Sequence, residues 1–166
     1  MTYLNLIDRQ TRGRYDVTPL FSSYEAFANL VADLARRFAS VEIDRVAGVD
    51  ALGFILGTAL ALRLQKGFVP IRKSGKLPTH VERAEFMDYT QERKDLEIRS
   101  DAVTRGMKVL IVDEWIETGA QVKAAIELVE RLGGIVAGVA TINIDHNENT
   151  RGLREKYNCQ AIMHGE

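Results

Sequence analysis

The stretch VLIVDEWIETGAQ, residues 109–121, sets two carboxylates side by side at the end of an apolar run. Asp113 and Glu114 repel one another, so burying both without partners is costly. The pair is tolerable at a solvated cleft, where it accepts hydrogen bonds from ligand hydroxyls or meets a cation. Five residues after Asp113 come Thr118 and Gly119, and a helical pattern then begins. The free N–H groups and the dipole at a helix start favour a phosphate. Gly119 and Ala120 leave the backbone open to close approach, and Thr118 adds a hydroxyl. One reading is a sugar-phosphate cradle, with the acids on hydroxyls and the turn on phosphate. The competing reading makes Thr118 an ordinary helix cap beside two solvated acids, and this stretch alone does not separate the two.

Other reactive side chains are scattered along the chain. Lys73 and Lys76 flank Ser-Gly after an apolar segment, as anion donors or as solvated loop charges. Asp88 is either an acid placed for proton transfer to a base or a surface acid in a loop. Trp115 reads as packing beside a cleft, with base stacking as the lesser alternative. His146 follows the last long apolar segment and is a weak candidate for ligand contact; His80 and His164 have no evident chemical role. No spacing suggests a transition-metal site. Cys159 is the one cysteine, so an intrachain disulfide is impossible, and it lacks a base partner that would activate it.

The elements that must hold these residues alternate. Phe27, Leu30, Val31, Leu34 and Phe38 recur at helical spacing, with Ser22 and Glu25 as a capping box. RVAGV (45–49) reads as a short strand, followed by Asp50 and a helix over 53–65 that Gly67 ends. FVPIRK (68–73) is a second strand, weakened by Pro70. DLEIRSDAV and KVLIV are strands separated by a turn near Gly106. A helix over 120–132 buries Val122, Ala125, Ile126, Val129 and Leu132, and the glycines at 133 and 134 stop it. IVAGVATINI (135–144) is a strand, TRGLREKY a helical turn and QAIM a last strand. Continuous apolar strands between helices predict an α/β fold with a parallel sheet covered on both faces. Residues 73–94 form a long polar stretch that reads as a functional lid, or else as a disordered insertion.

Composition narrows the class. The 166 residues suit a single domain over 1–166, and 46% apolar with 27% charged residues allows a sizeable core. A net charge of −1 provides no field for nucleic acid or an anionic membrane, so neither is expected as a partner. The N-terminus lacks the apolar core of a signal peptide, and ALGFILGTALALRL is too short to span a bilayer. With a lone cysteine, this fits a cytoplasmic protein.

Five further segments align the chain with a known family. YDVTPLFSSYEAFANLVADLARRF, VAGVDALGFILGTALA, IRKSGKLP, MDYTQERKDLEI and TRGLREKY occur in that order over residues 14–157. Together with the acid pair and Thr-Gly they resemble the type I phosphoribosyltransferases, and among them the adenine phosphoribosyltransferases. The resemblance implies the Rossmann-like type I fold with a flexible hood loop. It implies transfer of phosphoribosyl from phosphoribosyl pyrophosphate to a purine base in purine salvage, with release of pyrophosphate. It also implies magnesium held mainly by the substrate, and a homodimer with the helix after Asp50 near the interface.

Roles carry over position by position as implications of that resemblance. Asp113 and Glu114 face the ribose hydroxyls, and Glu117, Thr118, Gly119, Ala120 and Gln121 wrap the 5-phosphate. Asp50, Ala51, Leu52, Gly53 and Phe54 form a pyrophosphate loop, with Arg72, Lys73 and Lys76 supplying positive charge. Asp88, Tyr89 and Thr90 lie in the hood. Asp113, Glu114, Glu117 and Asp88 are the implied catalytic acids, and Arg14, Tyr15 and His146 the implied base contacts.

Some positions depart from the family pattern. Leu52 stands where adenine enzymes carry arginine, which removes a bidentate anion donor. Gln121 replaces threonine, Glu117 replaces alanine, and Arg14 and Tyr15 alter the base pocket. These departures sustain an alternative, a weak or inactive sugar-phosphate- or nucleotide-binding regulatory protein of the same fold. A generic nucleotide-binding or response-regulator-like domain would not account for an acid pair followed by Thr-Gly.

Overall fold

The computed structural model describes residues 2–11, 15–88 and 90–165. A short 3-10 turn, Thr2–Leu6, and a backbone bridge between Asp8 and Asp16 precede the first helices, α1 (Thr18–Ser22) and α2 (Tyr24–Arg37). There follow β1 (Arg45–Val49), α3 (Leu52–Leu64), β2 (Gly67–Lys73), β3 (Val81–Met87), β4 (Arg93–Arg99) and β5 (Lys108–Val112). The chain ends with β6 (Trp115–Ile116), α4 (Ala120–Arg131), β7 (Ile135–Asp145), α5 (Glu148–Lys156) and β8 (Cys159–Gly165).

One sheet holds all eight strands in the order β3-β4-β2-β1-β5-β7-β6, with β8 also paired to β7. The pairs β1–β2, β1–β5, β5–β7, β6–β7 and β7–β8 are parallel, as the apolar strands require. β3 and β4 are an antiparallel hairpin attached to β2 only at Arg72 and Lys73. Alternate residues of the central strands feed two cores. Ala47, Val49, Val109 and Ile111 pack with α4, while Val46, Leu110 and Val112 pack with α2 and α3. Both faces are buried, so strands such as β5 read as unbroken apolar runs.

Several expectations are corrected. The helix beginning near residue 22 is capped by Ser23, whose Oγ accepts from the Ala26 amide at 3.4 Å; Ser22 ends the helix before it. α3 ends at Gln65 in the left-handed conformation, φ 58°, and Gly67 instead opens β2. The strand in DLEIRSDAV stops at Arg99, and the long polar stretch over 73–94 holds β3 and the first residues of β4 rather than a disordered insertion. The polar residues of the β3–β4 hairpin fit a sheet edge with one face on the core: Ala84, Leu96 and Ile98 are buried. Pro70 is tolerated because β2 pairs with β4 only beyond it, so one edge is open at residue 70.

Candidate functional site

The chain runs from β1 outward to β2, and later returns to place β5 on the other side of β1. The strand order therefore reverses between β1 and β5. Ligands of open α/β sheets sit at such a reversal, beyond the carboxyl ends of the strands. A cavity of about 390 Å³ lies there, a size that suits a small ligand. Asp50, Ala51 and Leu52 line one wall, after β1 and at the start of α3. Asp113 and Glu114 line another, at the end of β5, and Glu117 through Gln121 complete it at the start of α4. Lys73 from β2 and Phe86, Asp88 and Lys94 from the hairpin close it.

Close packing holds these walls together. A Cβ on Gly53 would lie 2.7 Å from the Val112 carbonyl oxygen, so only glycine lets the first turn of α3 rest on the end of β5. Gly119 has φ 72°, and a Cβ there would lie 2.5 Å from Leu153 Cδ1. The turn into α4 thus needs glycine for conformation and for space. The Gln121 side-chain amide donates to the Asp50 carbonyl at 3.2 Å and ties the two loops across the cavity. The Asp50–Ala51 peptide is cis.

Asp113 and Glu114 are both buried among polar neighbours. The Asp113 amide donates to Ala140, and its Oδ1 accepts from the Glu114 amide at 2.9 Å. The Glu114 carbonyl accepts from Thr141 Oγ1 at 3.0 Å and from the amides of Ile142 and Asn143. The backbone of the pair is therefore pinned to β7 while the side chains line the cavity. In the following turn Thr118 Oγ1 accepts from the Ala120 amide at 3.3 Å, but the N-cap of α4 is Gly119 and the neighbouring acids are buried, so the reading of Thr118 as a helix cap beside solvated acids is not met. Gly119 places no side-chain cap on α4. Asn147 Nδ2 donates to the Glu117 carbonyl at 2.8 Å and braces the turn from the far side.

The remaining residues singled out in the sequence lie apart from this cavity or outside the described residues. Gly53, Arg72, Lys76, Tyr15 and His146 do not line the cavity, and Arg14 and Tyr89 fall outside the described residues. Tyr15 stands edge-on to Trp115, ring centres 5.5 Å apart, and Trp115 does line the cavity. Arg72 Nη1 donates to the Lys76 carbonyl at 3.0 Å, and its Nε lies 3.9 Å from Asp50 Oδ2. His146 is exposed beyond β7. Burial pushes the Cys159 thiol up to about 11, which leaves it unreactive.

Asp88 is more engaged than the sequence suggests. Lys94 Nζ donates to its Oδ2, while Oδ1 accepts from Thr90 Oγ1 at 2.6 Å, the Thr90 amide at 2.8 Å and the Glu92 amide at 3.1 Å. Lys94 foremost, then Thr90, hold this carboxyl well below the usual carboxylate range. In this arrangement Asp88 is an ionised acceptor at neutral pH and not a proton donor.

Three residues that line or brace the site were missed in the sequence. Lys94 lines the cavity, and Asn147 braces the turn over 117–121. Asn147 was legible as a cap, since Asn147 and Thr150 form a capping box for α5. The third, Glu97, is fully buried in β4, and its carboxylate accepts from the amides of Gly75, Lys76 and Leu77 at 2.7–3.0 Å and from Arg83 Nε at 3.4 Å. It shapes the turn between Lys73 and Lys76. Burial alone would raise its carboxyl, but the amides of Gly75, Leu77 and Lys76 and the Arg83 guanidinium outweigh burial and lower it.

Among the described residues, no group of three or more His, Cys, Asp or Glu side chains is placed to hold a metal, and no helix is long and apolar enough to cross a membrane. Two adjacent carboxylates on a cavity wall still fit magnesium, which keeps waters and substrate phosphates as most of its ligands.

A family model described as "Phosphoribosyl transferase domain" matches residues 21–163. An adenine phosphoribosyltransferase from Thermoanaerobacter pseudethanolicus superposes with a TM-score of 0.89 at 32% identity, covering 98% of each chain. The enzyme of that name from Rhodothermus marinus gives 0.85 at 32% identity, over 98% of this chain and 96% of that one. The APRTase from Giardia lamblia, solved with 9-deazaadenine, gives 0.90 at 26% identity, over 99% of this chain and 96% of that one.

Proposed function

Since the chain belongs to the phosphoribosyltransferase family, we propose that it transfers the phosphoribosyl group of phosphoribosyl pyrophosphate to a purine base, adenine by preference, in cytoplasmic purine salvage. The observation that carries this reading is the convergence of Asp113–Glu114, the 117–121 turn, the Asp50–Leu52 loop and Lys73 on one cavity. The acids take the ribose 2- and 3-hydroxyls, the turn into α4 takes the 5-phosphate, and the diphosphate lies toward Asp50, Leu52 and Lys73. The names of the similar adenine phosphoribosyltransferases support the choice of base.

In the reaction a purine ring nitrogen forms a bond to ribose C1 as the C1–O bond to pyrophosphate breaks, and the proton on the nitrogen leaves to a base. Positive charge develops on the ring, and the buried pair Asp113 and Glu114 stabilises it through preorganised charge. The two loops joined by Gln121 hold the sugar phosphate and diphosphate ends in register. Magnesium, when bound with the substrate, would be held in part by Asp113 and Glu114 and would supply charge neutralisation for the departing pyrophosphate. Trp115 and Phe86 give the cavity an aromatic side suited to a base.

A second copy of the chain covers α3 in this reading. The α3 sequence is apolar nearly all round, which belongs to a buried helix. Yet Ile55 and Leu62, seven residues apart on one face, are 45% and 75% exposed.

Leu52 on the cavity wall favours the second reading, a sugar-phosphate sensor of the same fold that transfers little. Purified protein with magnesium, phosphoribosyl pyrophosphate and a panel of adenine, hypoxanthine, guanine, xanthine and uracil separates the two. Pyrophosphate release with adenine is the expected outcome. Silence across the panel, with phosphoribosyl pyrophosphate still bound in a calorimeter, establishes the sensor.

A further inference from the structure

Five carboxylates line the cavity, from Asp50, Asp88, Asp113, Glu114 and Glu117, against two ammonium groups among the described residues, Lys73 and Lys94. A diphosphate entering such a wall needs cations that face it. Arg72 is turned to the Lys76 carbonyl and to Asp50, and neither Arg72 nor Lys76 lines the cavity. Lys94 does, on β4 directly across from Phe86, which lines it too.

We propose that Lys94 is a second pyrophosphate-binding cation beside Lys73, stored on the cavity wall against Asp88 until the incoming anion draws it away. The inference rests on the transferase reading and deepens it. Two observations make the exchange inexpensive. Asp88 receives Lys94 on Oδ2 alone, and its Oδ1 keeps three other donors, so release does not strand a buried carboxylate. The Lys94 side chain is 42% exposed, and its other carboxylate neighbour, Glu92 at 3.4 Å, is solvated, so the ammonium moves without leaving a packed core. Lys94 in this role supplies part of the anion binding that Leu52 lacks.

Calorimetry with magnesium tests this, using phosphoribosyl pyrophosphate, inorganic pyrophosphate and ribose 5-phosphate as separate titrants. Lys94→Met is expected to weaken phosphoribosyl pyrophosphate and pyrophosphate by about tenfold while ribose 5-phosphate stays within about twofold. Lys94→Arg retains the affinity. Asp88→Asn removes the competing charge and tightens pyrophosphate severalfold, a gain that a purely structural Asp88–Lys94 pair does not produce. Pyrophosphate affinity unchanged in Lys94→Met, or an equal loss for ribose 5-phosphate, overturns the proposal and leaves the transferase reading standing. Failure of the unaltered protein to bind phosphoribosyl pyrophosphate at all removes both.

Discussion

At the scale of single residues, the acid pair and Leu52 bear on the proposed reaction in opposite directions. Asn at 113 keeps the oxygen that accepts the Glu114 amide, so the backbone contact survives while the charge is lost. The double change Asp113→Asn with Glu114→Gln is expected to reduce ribose 5-phosphate affinity by about tenfold or more, with an unaltered circular dichroism spectrum. Affinity equal to the parent would remove these acids from the site. Leu52 opens α3 on the cavity wall, where an arginine would reach a diphosphate with a planar fork. Leu52→Arg should raise turnover and tighten pyrophosphate by about tenfold, measured by steady-state kinetics and product inhibition. No change in either would mean that other cations already meet the need.

At the scale of elements, the turn bearing Lys73 and Lys76 depends on a carboxylate from a neighbouring strand. Glu97 replaces the missing hydrogen bonds of three successive amides. In Glu97→Gln the side-chain NH₂ must face one of those N–H groups, which costs on the order of 2 kcal/mol of stability. The linkage to pH follows from the lowered carboxyl. A folded value below the unfolded one contributes stability that is complete above the unfolded value of about 4.3 and is lost as pH falls toward the folded value. Unfolding midpoints of the parent should therefore fall below about pH 4.3 more steeply than those of Glu97→Gln. Parallel curves would show that Glu97 titrates alike in both states.

At the scale of the whole molecule, the apolar face of α3 bears on assembly. Ile55 and Leu62 together place large aliphatic groups in water on a helix whose other side is core. Sedimentation of the parent is expected to give twice the chain mass, and Leu62→Glu to give the single-chain mass. A monomeric parent would show that this face meets no second copy.

Much of this architecture was legible because burial writes itself into local pattern. Two-sided burial made β5 a continuous apolar run, and one-sided burial gave α2 and α4 their stripes. The acid pair and Thr-Gly were visible because they interrupt those patterns where a strand ends. The hairpin was not, since an edge sheet mixes exposed charge with a few buried positions and reads as a polar loop. Glu97 and Lys94 were missed because nothing local distinguishes a charge that caps a distant turn or faces a cavity from one in solvent.

The sequence by itself determined the central strands β1, β2, β5 and β7, the helices α2, α3 and α4, and that an acid pair and Thr-Gly follow β5. Those features depend on neighbours a few residues apart. Only the tertiary structure decided that Asp50, Lys73, Lys94 and Asp113 share one cavity, that Arg72 turns aside from it, and that Asp88 is held as an anion. Such facts depend on which strand ends the sheet order brings together, and on hydrogen bonds between residues far apart in the chain.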